Sequence, residues 1–402
     1  MATEAQVRER VGSVAADERL ARVRAEMPAV EAEVYFNTGT NGPLPRRSVD
    51  ATIALAEEEL AHGRIGPAVH ARSKAMKDDA RAKFATLLAC GPDEIALTHC
   101  TTEGMNIALH GLDWRPGDEI VTSVTEHPGG LYPVYVLRDR RGVRVRQTEI
   151  GMPGLDPVAA LKRALTPRTR AVVLSHVCWS TGMVLPLREL SDLAHEVGAL
   201  FICDAAQSCG MVPSHVSDLG VDAYACSGQK WLCGPDGTGA LFLRRDRFGE
   251  VAQTYVNWQA FTHCDTDGYF VPAAGAARYE AATLYPPAVA GLGASLGWLA
   301  DDVGWDWIYA RIAALGGACY DALAQVSGVT MHTPREQMAG LVHFTLGDLP
   351  PADVTAWLGE RGILIRHVPR PAVNRVSTGF YNTEEEIAQL ASALTELATS
   401  RG

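Results

Sequence analysis

The chain lacks any C-x-x-C pair and any Cys/His spacing of a zinc site, although it has nine cysteines in 402 residues. An odd number scattered along a long chain speaks against a disulfide framework and implies a reducing, cytoplasmic setting; no metal site is expected. No run of roughly eighteen uninterrupted apolar residues is present. Residues 1–30, MATEAQVRERVGSVAADERLARVRAEMPAV, alternate charge and alanine without the apolar stretch of a secretion signal. Neither a membrane span nor export by that route is expected. Basic excess is also missing, with 36 Lys+Arg against 47 Asp+Glu and a formal net charge of −11. Nucleic acid, held elsewhere by clustered Lys and Arg, is therefore not an expected partner. Internal repeats and low-complexity tracts are absent, which excludes solenoid architectures.

What remains is an ordinary globular composition, 47% hydrophobic and 21% charged, in a chain long enough for a large domain and a smaller one. From about residue 90, short apolar runs alternate with longer amphipathic stretches, the pattern of βα units around a mostly parallel sheet. The expected strands are EIALT (94–98), EIVTS (119–123), VRVRQTEI (143–150), AVVLSHV (171–177), ALFICDA (199–205), AYACSG (223–228) and GALFLR (239–244). Between them, Pro186–Val197 puts Leu187, Leu190, Leu193, Ala194 and Val197 on one helical face. After about residue 300 a long helical stretch precedes strand-like LVHFTL (341–346) and ILIRHV (363–368). A last helix opens at Thr383, whose hydroxyl can cap free amides ahead of three glutamates. The reading is an α/β large domain over 46–295, a smaller α+β domain over 296–402, and a segment over 1–45 whose turn-rich NTGTNGPLP (37–45) is suited to lining a site.

The stretch from Asp204 to Leu241, DAAQSCG…DAYACSGQKWLCGPDGTGAL, carries the chemistry. Asp204 follows one apolar strand and Lys230 follows the strand-like AYACSG, and carboxyl ends of parallel strands are where α/β sheets place ligands. Such a pair suits pyridoxal 5′-phosphate (PLP). A lysine amine forms its Schiff base, and a carboxylate beside the pyridine nitrogen keeps the ring protonated as an electron sink. Taken alone, a lysine in G-Q-K-W is more often a surface residue.

SGQKWLCGPDGTGAL and DAAQS resemble the Schiff-base and pyridine-nitrogen motifs of the class V aminotransferases, fold-type I PLP enzymes that include cysteine desulfurases, isopenicillin N epimerase and cystine C–S lyase. Similar segments run from YFNTGTNGPLP (35–45) through THCTTEGMNIALHGLDW (98–114), TEHPGG (125–130), SHVCWSTGMVLPL (175–187), TYVNWQAF (254–261) and RYEAATLYPP (278–287) to NRVSTGFYNTEEE (374–386). The resemblance implies the PLP-dependent transferase fold, a seven-stranded, mostly parallel sheet beside a smaller α+β domain. It implies further that Lys230 holds the cofactor, Asp204 pairs the pyridine nitrogen, Gln207 sits near the phenolic oxygen and His127 stacks on the ring. Thr101 and Thr102 match a phosphate-cradling turn at a helix start, where free amides attract anions. Ser227 and Gln229 match further phosphate contacts, although the family often has histidine at position 229. Thr283 matches a residue reaching the phosphate of a neighbouring subunit, which implies a homodimer with shared sites. Arg375 matches the arginine that forks onto a substrate α-carboxylate, a task its planar guanidinium suits. Asn41 and Arg366 are candidate substrate contacts. His176 and Trp179 either line the pocket or pack beneath it.

A desulfurase of this kind needs a reactive thiol on the loop before the carboxylate-binding arginine, and RHVPRPAVNR (366–375) has none. Its prolines also restrict the backbone. Among the relatives, EHPG, SHVCWSTGMVLPL, TYVNW and YEAATLYP read most like a C–S lyase of cystine or a cysteine S-conjugate, yielding a thiol or persulfide, pyruvate and ammonia. The alternative is chemistry at Cα of a similar substrate: isopenicillin N-type epimerisation, or the decarboxylation-coupled oxidative deamination of lincosamide-type antibiotic biosynthesis. A non-catalytic PLP-binding module is the reading from another class, and Lys230, Asp204 and Arg375 together speak against it.

Overall fold

The computed structural model describes residues 18–281 and 283–400, so the first part of the 1–45 segment lies outside the described residues. A short strand β1 (Val34–Tyr35) precedes the main sheet, which is built from β2 (Ile95–Thr98), β3 (Glu119–Ser123), β4 (Arg144–Thr148), β5 (Thr169–Ser175), β6 (Leu200–Asp204), β7 (Ala223–Ser227) and β8 (Gly239–Leu243). Each lies within one of the seven expected runs or overlaps it. Their order is β2-β8-β7-β6-β5-β3-β4, parallel except for β8, which runs antiparallel to both its neighbours.

Alternate residues of the strands feed two separate cores. Val172, Leu174, Phe201, Cys203 and Tyr224 face one side with the helices Pro67–Leu88, Pro157–Ala164 and Leu187–Glu196. Ala171, Val173, Leu200, Ile202 and Ala225 face the other with Thr101–His110 and Pro128–Arg141. Helices on both faces explain why β5 to β8 read as near-continuous apolar runs. The edge strand β4, RVRQT, is covered less and carries charge.

An exposed hairpin, β9 (Phe261–Cys264) with β10 (Phe270–Pro272), leads out of the large sheet region. The second sheet is antiparallel, ordered β11-β12-β15-β14, from β11 (Val329–Met331), β12 (Leu341–Leu346), β14 (Arg366–Pro369) and β15 (Ala372–Ser377). The helices Trp305–Ala324, Pro351–Gly359 and Glu384–Ser400 cover it around Leu315, Phe344, Leu358, Val376 and Leu390. The expected strand 363–368 is divided. β13 (Ile363–Leu364) pairs in parallel with β1, while β14 turns to pair with β15, so the two halves serve different neighbours. Phe36, just past β1, is buried in this second core. Thr383 opens the last helix as expected: its hydroxyl accepts the Glu386 amide at 3.1 Å, and the Glu386 carboxylate accepts the Thr383 amide at 3.2 Å, a reciprocal capping box. All nine cysteines are free thiols, and among the described residues no helix is long and apolar enough to cross a membrane.

Candidate active site

Asp204 ends β6 and Ser227 ends the adjacent parallel strand β7, so both side chains arrive at the carboxyl edge of the main sheet. The chain after Ser227 turns sharply. Gly228 donates to Thr238 O at 2.8 Å, and Lys230 O accepts the amide of Cys233 at 3.0 Å. Gly42 donates to Gln229 O at 2.8 Å, and a Cβ at position 42 would strike Lys230 O, so only glycine lets the 37–42 segment lie this close to the lysine turn. The result is a cavity of about 330 Å³ between the two sheets.

Ten of the residues singled out in the sequence line this cavity: Thr101, Thr102, His127, Asp204, Gln207, Ser227, Gln229, Lys230, Arg366 and Arg375. Trp179 lines it too. Its ring meets His127 edge-on at 4.8 Å, and its indole nitrogen has no partner. His176 is buried and does not line the cavity.

Lys230 has its ammonium brought down to about 8, mainly by burial and further by Arg375 and Arg366, with Asp204 opposing. Asp204 is buried and raised by burial, while the amide of Ala206 steadies it at 3.0 Å. His127 caps the helix Pro128–Arg141, its Nδ1 accepting the Gly129 amide at 3.0 Å. Burial and the cations Lys230, Arg366 and Arg375 lower it to about 4, so its ring is neutral. Gly130 follows in the same turn, where a Cβ would stand 3.1 Å from Asp204 Oδ2; its lack of a side chain lets the helix close against the carboxylate.

At the other side of Lys230, Ser227 Oγ accepts the Thr101 amide at 2.9 Å, at the start of the helix Thr101–His110. Gln229 keeps a buried Oε1 without a partner. Gln207 is more committed than expected. Its Nε2 donates to Gly39 O at 2.8 Å and its Oε1 accepts the Trp231 indole at 3.0 Å, leaving one amide hydrogen for a ligand. Arg375 is 2% exposed, its Nε has no partner, and burial with nearby Arg366 lowers it to about 9. A buried guanidinium with no carboxylate is costly unless an anion arrives.

Two expected residues stand elsewhere. Asn41 is exposed; its side chain donates to Asp236 Oδ1 at 3.4 Å, because the turn sends Thr40 inward instead. Thr283 is exposed and lines a different depression with His99, Asp236 and Tyr285. Three residues were passed over. Thr40 and Cys100 line the cavity, and Glu126 lies buried beneath it with its carboxyl lifted to about 8, by burial first and by Asp204 in addition. Adjacency to His127 in TEHPGG was the available signal for Glu126.

The residues present fit PLP. A buried amine with a lowered pKa, a buried carboxylate, a neutral ring-bearing side chain and the start of the helix Thr101–His110 converge on one cavity.

Comparison with known proteins agrees. Residues 34–390 match the family model for class V aminotransferases. A probable cysteine desulfurase of Methanothermobacter thermautotrophicus is 30% identical over 94% of this chain and 97% of its own. The cysteine desulfurase CsdA of Escherichia coli is 29% identical over 93% and 96%. Among solved structures, a C-DES mutant with glycine covalently linked to its PLP cofactor superposes with a TM-score of 0.88 at 32% identity, covering 93% of this chain and 99% of that one. The complex of the cystine C–S lyase C-DES with its product cysteine persulfide gives the same TM-score and identity over 92% and 99%. With the match running through both sheets and the cavity that their strand ends enclose, the chain belongs to the class V aminotransferase family, and its cofactor is pyridoxal 5′-phosphate.

Proposed function

We propose that this enzyme is a C–S β-lyase acting on cystine or an S-cysteinyl conjugate. The observation that carries the reading is the segment between Arg366 and Arg375. It contains no cysteine, and it is folded as a tight hairpin in which Arg366 pairs with Arg375, His367 with Asn374, Val368 with Val373 and Pro369 with Ala372. A thiol that collects sulfur from a substrate and hands it on must sit on a segment free to move, and this one is tied down along its length. Cys100, the cysteine that lines the cavity, stands at the N-cap position of the helix Thr101–His110 without a side-chain cap bond, away from the 366–375 hairpin in sequence.

PLP, when bound, supplies an electron sink for the charge left at Cα. The chain's own residues do the rest. Arg375 binds the α-carboxylate and fixes the amino acid's orientation. Lys230 Nζ would hold the cofactor and, as a free amine, would remove the Cα proton; its lowered pKa suits it to accept that proton near neutrality. Asp204 would keep the pyridine nitrogen protonated, and His127, neutral here, would lie against the ring. The Cβ–S bond then breaks with the electron pair leaving on sulfur. For cystine the balance is one cystine and one water to cysteine persulfide, pyruvate and ammonia.

Thr283, exposed and turned away from its own chain's cavity, is assigned by this reading to the phosphate of a partner subunit in a homodimer. Product analysis tests the reaction. Cystine and S-ethylcysteine should give pyruvate and ammonia in equal amounts. Alanine with sulfur left on the protein would overturn the reading in favour of desulfuration, and carbon dioxide, or deuterium at Cα without pyruvate, would move it to Cα chemistry.

A further inference from the structure

The two arginines that enter the cavity from the second sheet share one neighbour. Arg366 and Arg375 are directly opposed in the β14–β15 register, so their side chains leave the same face. Arg375 Nη2 donates to Thr40 Oγ1 at 3.1 Å, and Arg366 Nη1 donates to the same oxygen at 3.2 Å. The Thr40 hydroxyl gives its own proton to Asn37 Oδ1 at 2.7 Å. A hydroxyl has one proton and two lone pairs. Committing the proton to Asn37 turns both lone pairs toward the two guanidiniums.

The turn that carries Thr40 is fixed from several sides. Thr40 and Asn41 donate their amides to Asn37 O at 2.9 and 3.3 Å, and Gln207 holds Gly39 O at 2.8 Å. A Cβ on Gly39 would stand 2.8 Å from Ser377 Oγ, 2.9 Å from Gln207 Oε1 and 3.2 Å from Arg375 Nη2, so glycine is required for the turn to approach Arg375. Two cations drawn to one neutral oxygen repel each other, and the buried Nε of Arg375 still has no partner. The arrangement is complete only when an anion sits between them.

We propose that Thr40, aimed by Asn37, is a positioning residue that yokes Arg366 to Arg375 as a single cradle for the substrate α-carboxylate. The inference rests on the assignment of Arg375 to that carboxylate. It makes Arg366 a second hand on the same group.

The test compares two amines on the PLP-loaded enzyme, glycine and methylamine, titrated by the absorbance change as each takes the place of Lys230. They differ by the carboxylate. Thr40→Val should raise the Kd for glycine about tenfold, the effect of the misaligned arginine pair losing one charge-assisted hydrogen bond to the carboxylate, and leave methylamine within about twofold. Thr40→Ser should restore glycine binding, and with cystine Thr40→Val should raise KM while kcat holds. Equal weakening of both amines would reduce Thr40 to a structural role and overturn the inference, as would no change in either. Arg375→Gln separates the two levels. If it fails to weaken glycine against methylamine, the carboxylate assignment itself falls; if it does so and Thr40→Val does not, only the yoke falls.

Discussion

Ser227 Oγ lies 2.9 Å from the amide of Thr101 and 2.7 Å from its hydroxyl, tying the end of β7 to the first turn of the helix Thr101–His110. First-turn amides have no intrahelical partners and attract anions, so this contact sets where a phosphate meets the helix. Ser227→Ala leaves the buried Thr101 amide without its partner and unties the helix start from the lysine turn. The expected outcome is a Kd for PLP about tenfold higher, read from cofactor released on dialysis. Unchanged retention would remove Ser227 from the phosphate site.

The charge balance around Lys230 predicts a pH profile. With the ammonium near 8, the form able to take a proton grows as pH rises, so kcat for pyruvate formation should climb about tenfold per pH unit below that value and level off above it. Arg366 is one of the cations that hold the pKa down. Arg366→Gln should therefore move the rise to higher pH. A profile flat from about pH 6 to pH 9, or displaced to lower pH in the variant, would take Lys230 out of the base's role.

Much of this was legible in the chain because the physics was local. The seven strands of the main sheet are short apolar runs bounded by turn residues, and burial on both faces leaves little other reading of them. Asp204 and Lys230 each follow such a run, and the resemblance of DAAQS and SGQKW to class V motifs is what singles them out. What the sequence hides is decided by neighbours far along the chain. ILIRHV reads as one strand, yet β1 claims its first half and β15 its second. In NTGTN the side chain that enters the cavity is Thr40, one residue before the candidate Asn41, since the choice depends on Arg366 and Arg375 over three hundred residues away. Glu126 has only its adjacency to His127 to mark it in the sequence; its burial shows once Ser175 and Asp204 are seen beside it.

That buried carboxyl gives a prediction about stability. Glu126 Oε1 accepts the Ser175 amide at 3.0 Å and Oε2 lies 2.6 Å from the Ser175 hydroxyl, at the strand end directly in register with Asp204. Burial lifts Glu126 to about 8 against the pull of those two bonds, and the charge on Asp204 adds to the rise; buried Cys178 and Cys203 are the other titratable groups that feel it. In the unfolded chain a glutamate titrates near 4.3. The folded protein thus holds this proton more tightly. The resulting stability is full below the unfolded value and is lost as pH rises through about 8. Glu126→Gln keeps a neutral side chain able to accept the Ser175 amide, and it cannot titrate. In the PLP-free protein its stability relative to wild type should therefore increase between about pH 5 and pH 8, by on the order of 1–3 kcal/mol in denaturant melts. A protonated pyridine nitrogen against Asp204 offsets part of the charge that raises Glu126, so the slope should be shallower in the PLP-loaded enzyme. A difference independent of pH in both forms would mean that Glu126 is ionised throughout, with Ser175 as its hydrogen-bond donor, and that burial beside Asp204 does not hold its proton.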